Sequence, residues 1–292
     1  MKTQKASAFK PRPQASIDQM ANDPTVVSVP VLRHDVMGTF AIGRRLIVRL
    51  YCNAFHTVGV WRLAMEHVFR TQIWVVVPAF NEVRTIGRVV TDIAGRGFKI
   101  VVVDDGSTDQ TKDAVSAADA VVRHPINLGQ GAALQTGIDY ALQHGADVIV
   151  TFDADGQHYA ADIAELVNAL TQGEADFALG SRFLGRSVNL PPARLLLLKL
   201  AVLFTRLTTG LRVSDAHNGV RAMTRRGASA VRLQQNGMAH ASEIVSQIAR
   251  TGLHFVEVPV TVHYTAYSLS KGQKLSDALT VLLDLFARRL YR

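Results

Sequence analysis

Two carboxylates one residue apart, Asp153 and Asp155 in TFDADGQ (151–157), follow a short run of β-branched and aromatic residues. In an extended segment alternate side chains point the same way, so both can reach one hard cation. Mg2+ or Mn2+ suits such oxygen donors, with waters and substrate phosphates filling the shell, and Gln157 continues the alternation with an amide oxygen. The same spacing also suits an ordinary acidic turn after a strand. Two further polar loops accompany it. PAFNE (78–82) offers a rigid turn at Pro78, an aromatic face at Phe80 and a carboxylate at Glu82. DDGSTD (104–109) offers Asp104 and Asp105, which can accept N–H or ribose hydroxyl hydrogen bonds, while Ser107 and Asp109 are placed to cap a following helix. A third loop, NLGQGA (127–132), sets glycines at a helix start, where backbone can approach a ligand. It is not a G-x-G-x-x-G fingerprint after a first strand, which argues against a dinucleotide dehydrogenase.

These loops need a frame that brings them to one edge. Short β-branched runs predict strands at Ile73–Val77, Lys99–Val103, Ala120–Arg123, Val148–Phe152 and Phe177–Leu179. Between them, helical stretches fall near Val83–Ala94, Thr111–Ala117, Gly131–His144 and Ala160–Thr171. Alternation of this kind is the signature of an α/β fold with a mostly parallel sheet, whose binding groups gather in loops leaving the carboxyl ends of the strands. His254–Val258 and Val260–Tyr264 predict two later strands with Pro259 at a bend or edge. Two amphipathic helices follow from periodicity. In Arg194–Thr209, Lys199 and Arg206 oppose Leu196, Leu200, Leu203 and Leu207; core packing and membrane-interface contact suit that stripe equally. In Leu275–Arg292 the stripe Leu275, Leu279, Leu282, Phe286 and Leu290 is expected to face a core.

Length and composition set the class. A chain of 292 residues, 48% hydrophobic and 19% charged, is a folded enzyme-sized body of one large or two ordinary domains. Its single cysteine, Cys52, excludes an intramolecular disulfide framework and a multi-cysteine zinc site, so a reduced cytoplasmic setting is expected. The net charge of +8 is unevenly spread: +6 over residues 1–70, −9 over 71–180 and +11 over 181–292. An acidic middle followed by a basic end suggests one half that holds metal and another that meets anionic material such as phosphate or an acidic lipid surface. The basic residues are scattered and no nucleic-acid motif is present, so nucleic acid is not expected as a partner. The first 24 residues read as a flexible tail without signal-peptide character. Residues 31–70 suit a helical appendage or a basic amphipathic segment lying on a membrane. No apolar span reaches the roughly 20 residues of a crossing helix, so no transmembrane helix is expected within the sequence.

Seven segments together, VVVPAFNE (75–82), VVVDDGSTD (101–109), NLGQGAALQTGI (127–138), TFDADGQH (151–158), GSRF (180–183), DAHNGVRA (215–222) and YSLSKGQ (267–273), make a joint pattern. The pattern resembles the family-two glycosyltransferases of GT-A fold, and within them the dolichyl-phosphate mannosyltransferase-like, polyprenyl-phosphate glycosyltransferase branch. The resemblance covers residues 71–280 or so and implies a Rossmann-like, mostly parallel sheet flanked by helices, with C-terminal amphipathic helices. It implies an N-terminal extension over 1–70 and a glycosyltransferase domain over 71–292. Within that domain, 71–180 would form the nucleotide-sugar and metal half and 181–292 the acceptor- and membrane-facing half.

The resemblance further implies a UDP- or GDP-linked sugar bound by Pro78, Phe80, Glu82, Asp104, Asp105, Asp153 and Ala154, with Mg2+ or Mn2+ on Asp153, Asp155 and Gln157. Arg182, Arg194 and Lys271 would meet the acceptor phosphate, with Lys274 in support, and Asp215 and Asn218 would lie beside the sugar. Asp155, Arg182, Asp215 and Lys271 form the expected catalytic set. The sequence departs from the family at Thr265, where some relatives carry arginine, and at Gln130, where a basic residue is frequent. A polyprenyl phosphate needs no general base, because its second ionisation lies near about pH 6 and the enzyme must supply only cationic neutralisation and placement. A glycan hydroxyl acceptor, the alternative, needs one, and Asp215 is the placed candidate. A non-catalytic nucleotide-sugar-binding subunit is the third reading. The expected location is peripheral at the cytoplasmic membrane face, directly or through a membrane-protein partner.

Overall fold

The computed structural model describes residues 37–42, 46–51, 71–172, 175–237, 239–265 and 267–268. The chain divides into two compact units, Met1–Arg70 and Thr71–Arg292. In the first, β1 (Met37–Ile42) pairs antiparallel with β2 (Leu46–Tyr51), Met37 opposite Tyr51 and Ile42 opposite Leu46. Of the two readings given for residues 31–70, a helical appendage and a basic amphipathic segment on a membrane, the helical one is not met over the described residues. The observed hairpin follows from β-branched and aromatic residues in MGTFAI and LIVRLY, which favour extended backbone.

The second unit holds β3 (Ile73–Ala79), α1 (Ile86–Ala94), β4 (Lys99–Asp104), a 3-10 turn (Thr111–Ala114), β5 (Ala120–Arg123), α2 (Gln130–Gln143) and β6 (Val148–Thr151). Then come α3 (Asp162–Gln172), β7 (Phe177–Val188), α4 (Pro192–Thr209), β8 (Arg221–Thr224), α5 (Arg225–Ala230), α6 (His240–Thr251) and β9 (Phe255–His263). β3 to β9 form one sheet in the order β5-β4-β3-β6-β8-β7-β9, with only β8 antiparallel to its neighbours. Helices cover both faces, which is why β3, β4 and β6 read as unbroken apolar runs. Ile86, Val89, Val90 and Ile93 of α1 and Ile163, Leu166 and Leu170 of α3 close one face; Leu134 and Ile138 of α2 and Ile244, Val245 and Ile248 of α6 close the other. At Gly137 a Cβ would come within 2.2 Å of Val76 Cγ1, so glycine is what lets α2 lie this close to β3.

Three parts of the frame differ from expectation. The two strands expected around Pro259 are one, β9; it is an edge strand, where proline's missing N–H breaks no ladder, and Pro259 stands beside the bulge between Ser181 and Arg186. β7 runs nine residues past the expected Leu179, because Arg186–Val188 pair with Thr261–His263 after that bulge, so pairing holds a polar stretch extended. β8 and α6 were not anticipated at all. The expected helix over Leu275–Arg292, with Lys271, Lys274 and Cys52, lies outside the described residues.

Candidate active site

Strands β3, β4, β6 and β7 end, and antiparallel β8 begins, at the same edge of the sheet. There the DADGQ turn follows β6, and Ala154 and Gln157 are buried beside the half-buried Asp153 and Asp155. Asp153 Oδ1 accepts from Gln130 Nε2 at 3.1 Å, and Oδ2 lies 3.6 Å from His158 Nε2. A Cβ on Gly219 would fall 1.9 Å from Asp153 Oδ2, so the carboxylate occupies the space that glycine vacates. Asp155 Oδ1 accepts from Gln157 N at 3.0 Å. Burial, then the charge of Asp153, push the Asp155 carboxyl up to about 6. Burial acts the same way on Asp153, but the bond to and charge of His158, with His240 and Arg221 behind, hold it below the ordinary carboxylate value. Two oxygen-donor groups whose mutual repulsion raises one of them fit a divalent cation, which would remove that repulsion. Among the described residues no group of three or more His, Cys, Asp or Glu side chains could hold a metal, so a cation here would need oxygens from its ligand as well.

The loops after β3 and β4 are stitched together. Asn81, in the left-handed region at φ 55, accepts from Thr108 N at 2.9 Å and donates its own N–H to Ser107 Oγ at 2.9 Å. Glu82 N donates to Thr111 Oγ1 at 2.8 Å. Ser107 therefore ties two loops and does not cap a helix as expected; Asp109 accepts from Thr111 N at 3.0 Å ahead of the 3-10 turn, whose N-cap position is Gln110. Pro78 is buried beneath this loop and Phe80 stands 41% exposed beside it. Asp105, 2% exposed, accepts from His124 Nδ1 at 2.6 Å, Leu128 N at 2.9 Å and Gly129 N at 2.7 Å, so its carboxylate shapes the glycine loop entering α2. Asp104 Oδ1 accepts from Ser107 N at 2.9 Å; its buried Oδ2 makes no hydrogen bond and has Arg123 Nε at 3.4 Å.

Arg182 and Asp215 are locked to each other. Asp215 Oδ2 accepts from Arg182 Nε at 2.6 Å and from Arg182 N at 3.1 Å, and its Oδ1 from His217 N at 3.2 Å. The guanidinium also donates to Tyr264 Oη at 2.5 Å and to the His217 carbonyl at 2.8 Å. Burial alone would lower the Arg182 pKa, but the charges of Asp215 and Tyr264 and the bonds to them leave it above its ordinary value. Asn218, 2% exposed, accepts from Val220 N at 3.0 Å in a tight turn, while its buried Nδ2 has no partner.

Several residues at this edge escaped the sequence reading. Arg221 opens β8 opposite Thr151 of β6 and Leu179 of β7, is 4% exposed, and is pulled down to about 10 by burial against the raising charges of Asp153 and Asp215. Burial and the Arg221 charge hold His217 down to about 4, and burial lowers His240. Their only signal was position, within DAHNGVRA (215–222) and at the first residue of α6. His158 directly follows the DADGQ turn, and Gln130, noted as a departure, turns out to be a donor to Asp153.

Arg194, at the first turn of α4, stacks over the Tyr264 ring at 5.2 Å, on the same tyrosine that Arg182 contacts. Tyr267 donates to Glu82 Oε2 at 3.0 Å and lies under the Arg84 guanidinium at 5.9 Å. The YSLSKGQ segment therefore starts against the first loop. Thr265 and Ser268 close a small turn next to it, Thr265 N donating to Ser268 Oγ at 3.0 Å.

A family model described as glycosyl transferase family 2 matches residues 74–231. The chain is 34% identical over 233 residues to an uncharacterized protein of Methanocaldococcus jannaschii, covering 78% of this chain and 96% of that one. It is 29% identical over 241 residues to the UDP-N-acetylglucosamine–dolichyl-phosphate N-acetylglucosaminyltransferase of Methanococcus voltae (75% and 96% covered). It is 32% identical over 221 residues to the polyprenol monophosphomannose synthase of Mycolicibacterium smegmatis (70% and 83% covered). Among solved structures, glucosyl-3-phosphoglycerate synthase of Mycobacterium tuberculosis, in complex with Mn2+ and uridine-diphosphate-glucose, shares the fold: TM-score 0.61, 21% identity, 82% of this chain and 84% of that one covered. The motifs, the sheet and a match across more than half of the sequence agree: this chain belongs to glycosyl transferase family 2.

Proposed function

We propose that the protein moves a sugar from a UDP- or GDP-linked donor to a polyprenyl phosphate at the cytoplasmic face of a membrane. The observation that carries this reading is the Asp153–Asp155 pair at the carboxyl edge of the sheet, with Asp155 pushed up to about 6 by burial and its neighbour. Asp153 and Asp155, with the Gln157 amide nearby, would hold Mg2+ or Mn2+ there. That cation would offset the charge growing on the departing diphosphate. Phe80 and Glu82 supply a face and a carboxylate for the nucleoside, Ala154 lines the floor, and Pro78, Asp104 and Asp105 set the loops around them.

In the reaction the bond from the anomeric carbon to the diphosphate oxygen breaks, and the electron pair leaves with the nucleoside diphosphate. An acceptor phosphate oxygen, already anionic at neutral pH, bonds to the opposite side of the carbon. Arg194 and Lys271 neutralise that phosphate, with Lys274 in support, and Arg182 holds Asp215 and Tyr264 in place beneath it. The names of relatives from Methanococcus voltae and Mycolicibacterium smegmatis support a polyprenyl-type acceptor. The state of Asp215 supports it too. A hydroxyl acceptor needs a base, and Asp215 is 3% exposed with both oxygens engaged.

The test is transfer of radiolabelled sugar from UDP- and GDP-sugars to dolichyl or undecaprenyl phosphate with Mn2+ or Mg2+. Transfer to lipid phosphate that chelation abolishes is the expected result. Transfer that proceeds with chelator, or only to a free glycan, contradicts the reading.

A further inference from the structure

Helix α4 turns its leucine stripe away from the core. Its buried residues are Ala201, Val202 and Thr205, while Leu196, Leu200, Leu203 and Leu207 are 62%, 48%, 53% and 76% exposed. At 100° per residue the four leucines fall within about 60° of one another, and the exposed Lys199 and Arg206 lie about 60–90° to one side. The two cations thus flank the stripe and do not oppose it. A leucine stripe of four turned outward is a contiguous apolar patch, which marks a contact surface and not an isolated exposed side chain.

Charge identifies the occupant. From residue 177 to 214, which brackets α4, there are six basic residues and no acidic one; Arg182 is buried against Asp215, which leaves Arg186, Arg194, Lys199, Arg206 and Arg212 toward the surface. Leucines in one stripe, bordered by cations whose stems can lie along apolar matter while their heads stay in water, match an anionic bilayer surface. No helix among the described residues is long and apolar enough to cross a membrane, so this one would lie on it. Its first turn carries Arg194 against Tyr264, at the edge where the acceptor phosphate is placed, and from there its 18 residues extend about 27 Å.

We propose that the outward face of α4 is a membrane-docking surface that seats in the headgroup region of an anionic bilayer and presents the active-site edge to phosphates held there. The assignment of that edge to a lipid acceptor rests on the function proposed above; the docking surface itself is tested without turnover.

The experiment is flotation of the full chain with vesicles of equal parts phosphatidylcholine and phosphatidylglycerol, and with vesicles of phosphatidylcholine alone. The wild type is expected to float with the anionic vesicles. A Leu200→Glu/Leu203→Glu variant, changed only at exposed positions, should bind about tenfold more weakly or worse. Lys199→Glu alone should narrow the preference for anionic over neutral vesicles. Leucine variants that float as well as the wild type overturn the proposal. So does a wild type that does not float while the leucine variant changes oligomeric mass, which would assign the stripe to a second copy, or loses thermal stability, which would assign it to the chain's own 269–292 segment. Flotation that depends on the leucines in a protein without transfer activity upholds the docking surface and rejects the proposed reaction.

Discussion

The two halves of the sheet place their charges differently. On the β3–β6 side, acidic residues stand at the loop tips. Asp105 and Asp109 are spent on backbone N–H groups, and Asp153 and Asp155 are left side by side. On the β7–β9 side the excess is basic, yet two of its arginines, Arg182 and Arg221, are buried among partners within the fold, while Lys199 and Arg206 are exposed along α4. A charge count by segment located the two halves but not the working groups within them. Burial decides that, because a buried ion must find its partner within the fold.

Breaking the acidic side should cost the most. Asp155→Ala is expected to lower sugar transfer by about a thousandfold or more while circular dichroism stays unchanged, since a half-buried carboxylate repelled by its neighbour holds only the N–H of Gln157. A fall of less than tenfold would mean the pair is a turn and no more.

On the basic side the main effect should fall on stability. Arg182→Met leaves Asp215 buried and unpaired, which typically costs about 3–5 kcal/mol and should appear as a lowered midpoint in denaturant. Asp215→Asn should likewise destabilise before it affects turnover. A stable Asp215→Asn protein with abolished transfer would instead make Asp215 the base of a hydroxyl-acceptor enzyme.

The pH dependence of the metal-free protein sets one half against the other. His217 takes a proton near 6.5 when unfolded and only near 4 when folded, so stability declines as pH falls through that window. Asp155 acts oppositely. Its folded value of about 6 lies above the unfolded 3.8, so protonation favours the fold as pH falls from 6. Between pH 6 and 4 the two nearly cancel, so thermal melts of the wild type should change by less than about 1 kcal/mol below pH 6.5, while His217→Gln should gain stability as pH falls and Asp155→Asn should lose it. The smallest effect expected is at Lys271. Lys271→Ala should lower kcat/KM for the lipid acceptor about tenfold, the loss of one charged hydrogen bond, with donor KM unchanged.

Much of this was legible in the sequence, for physical reasons that also mark its limits. β3, β4 and β6 showed because parallel strands covered on both faces must be continuously apolar, as IWVVVPA is. β8 did not, because RAMT is four residues long and opens with an arginine, which only the neighbouring strands make acceptable. Periodicity found the α4 stripe but could not say which way it faces, since a leucine stripe looks the same towards a core and towards a bilayer. The carboxylates were visible as residue types at a spacing. Arg221 was not, because what brings it near Asp153 is register between strands distant in sequence, and His158 was not, because only the turn after β6 folds it back onto Asp153.

Calorimetric titration of UDP- and GDP-sugars into the full chain, with Mn2+ or with chelator, tests the central claim most directly. The account predicts that the matching donor binds only with the cation. It also predicts that binding weakens about tenfold from pH 7 to pH 5 as a proton competes for Asp155, and that Asp155→Ala abolishes it. Equal affinity in chelator, or in Asp155→Ala, would contradict it.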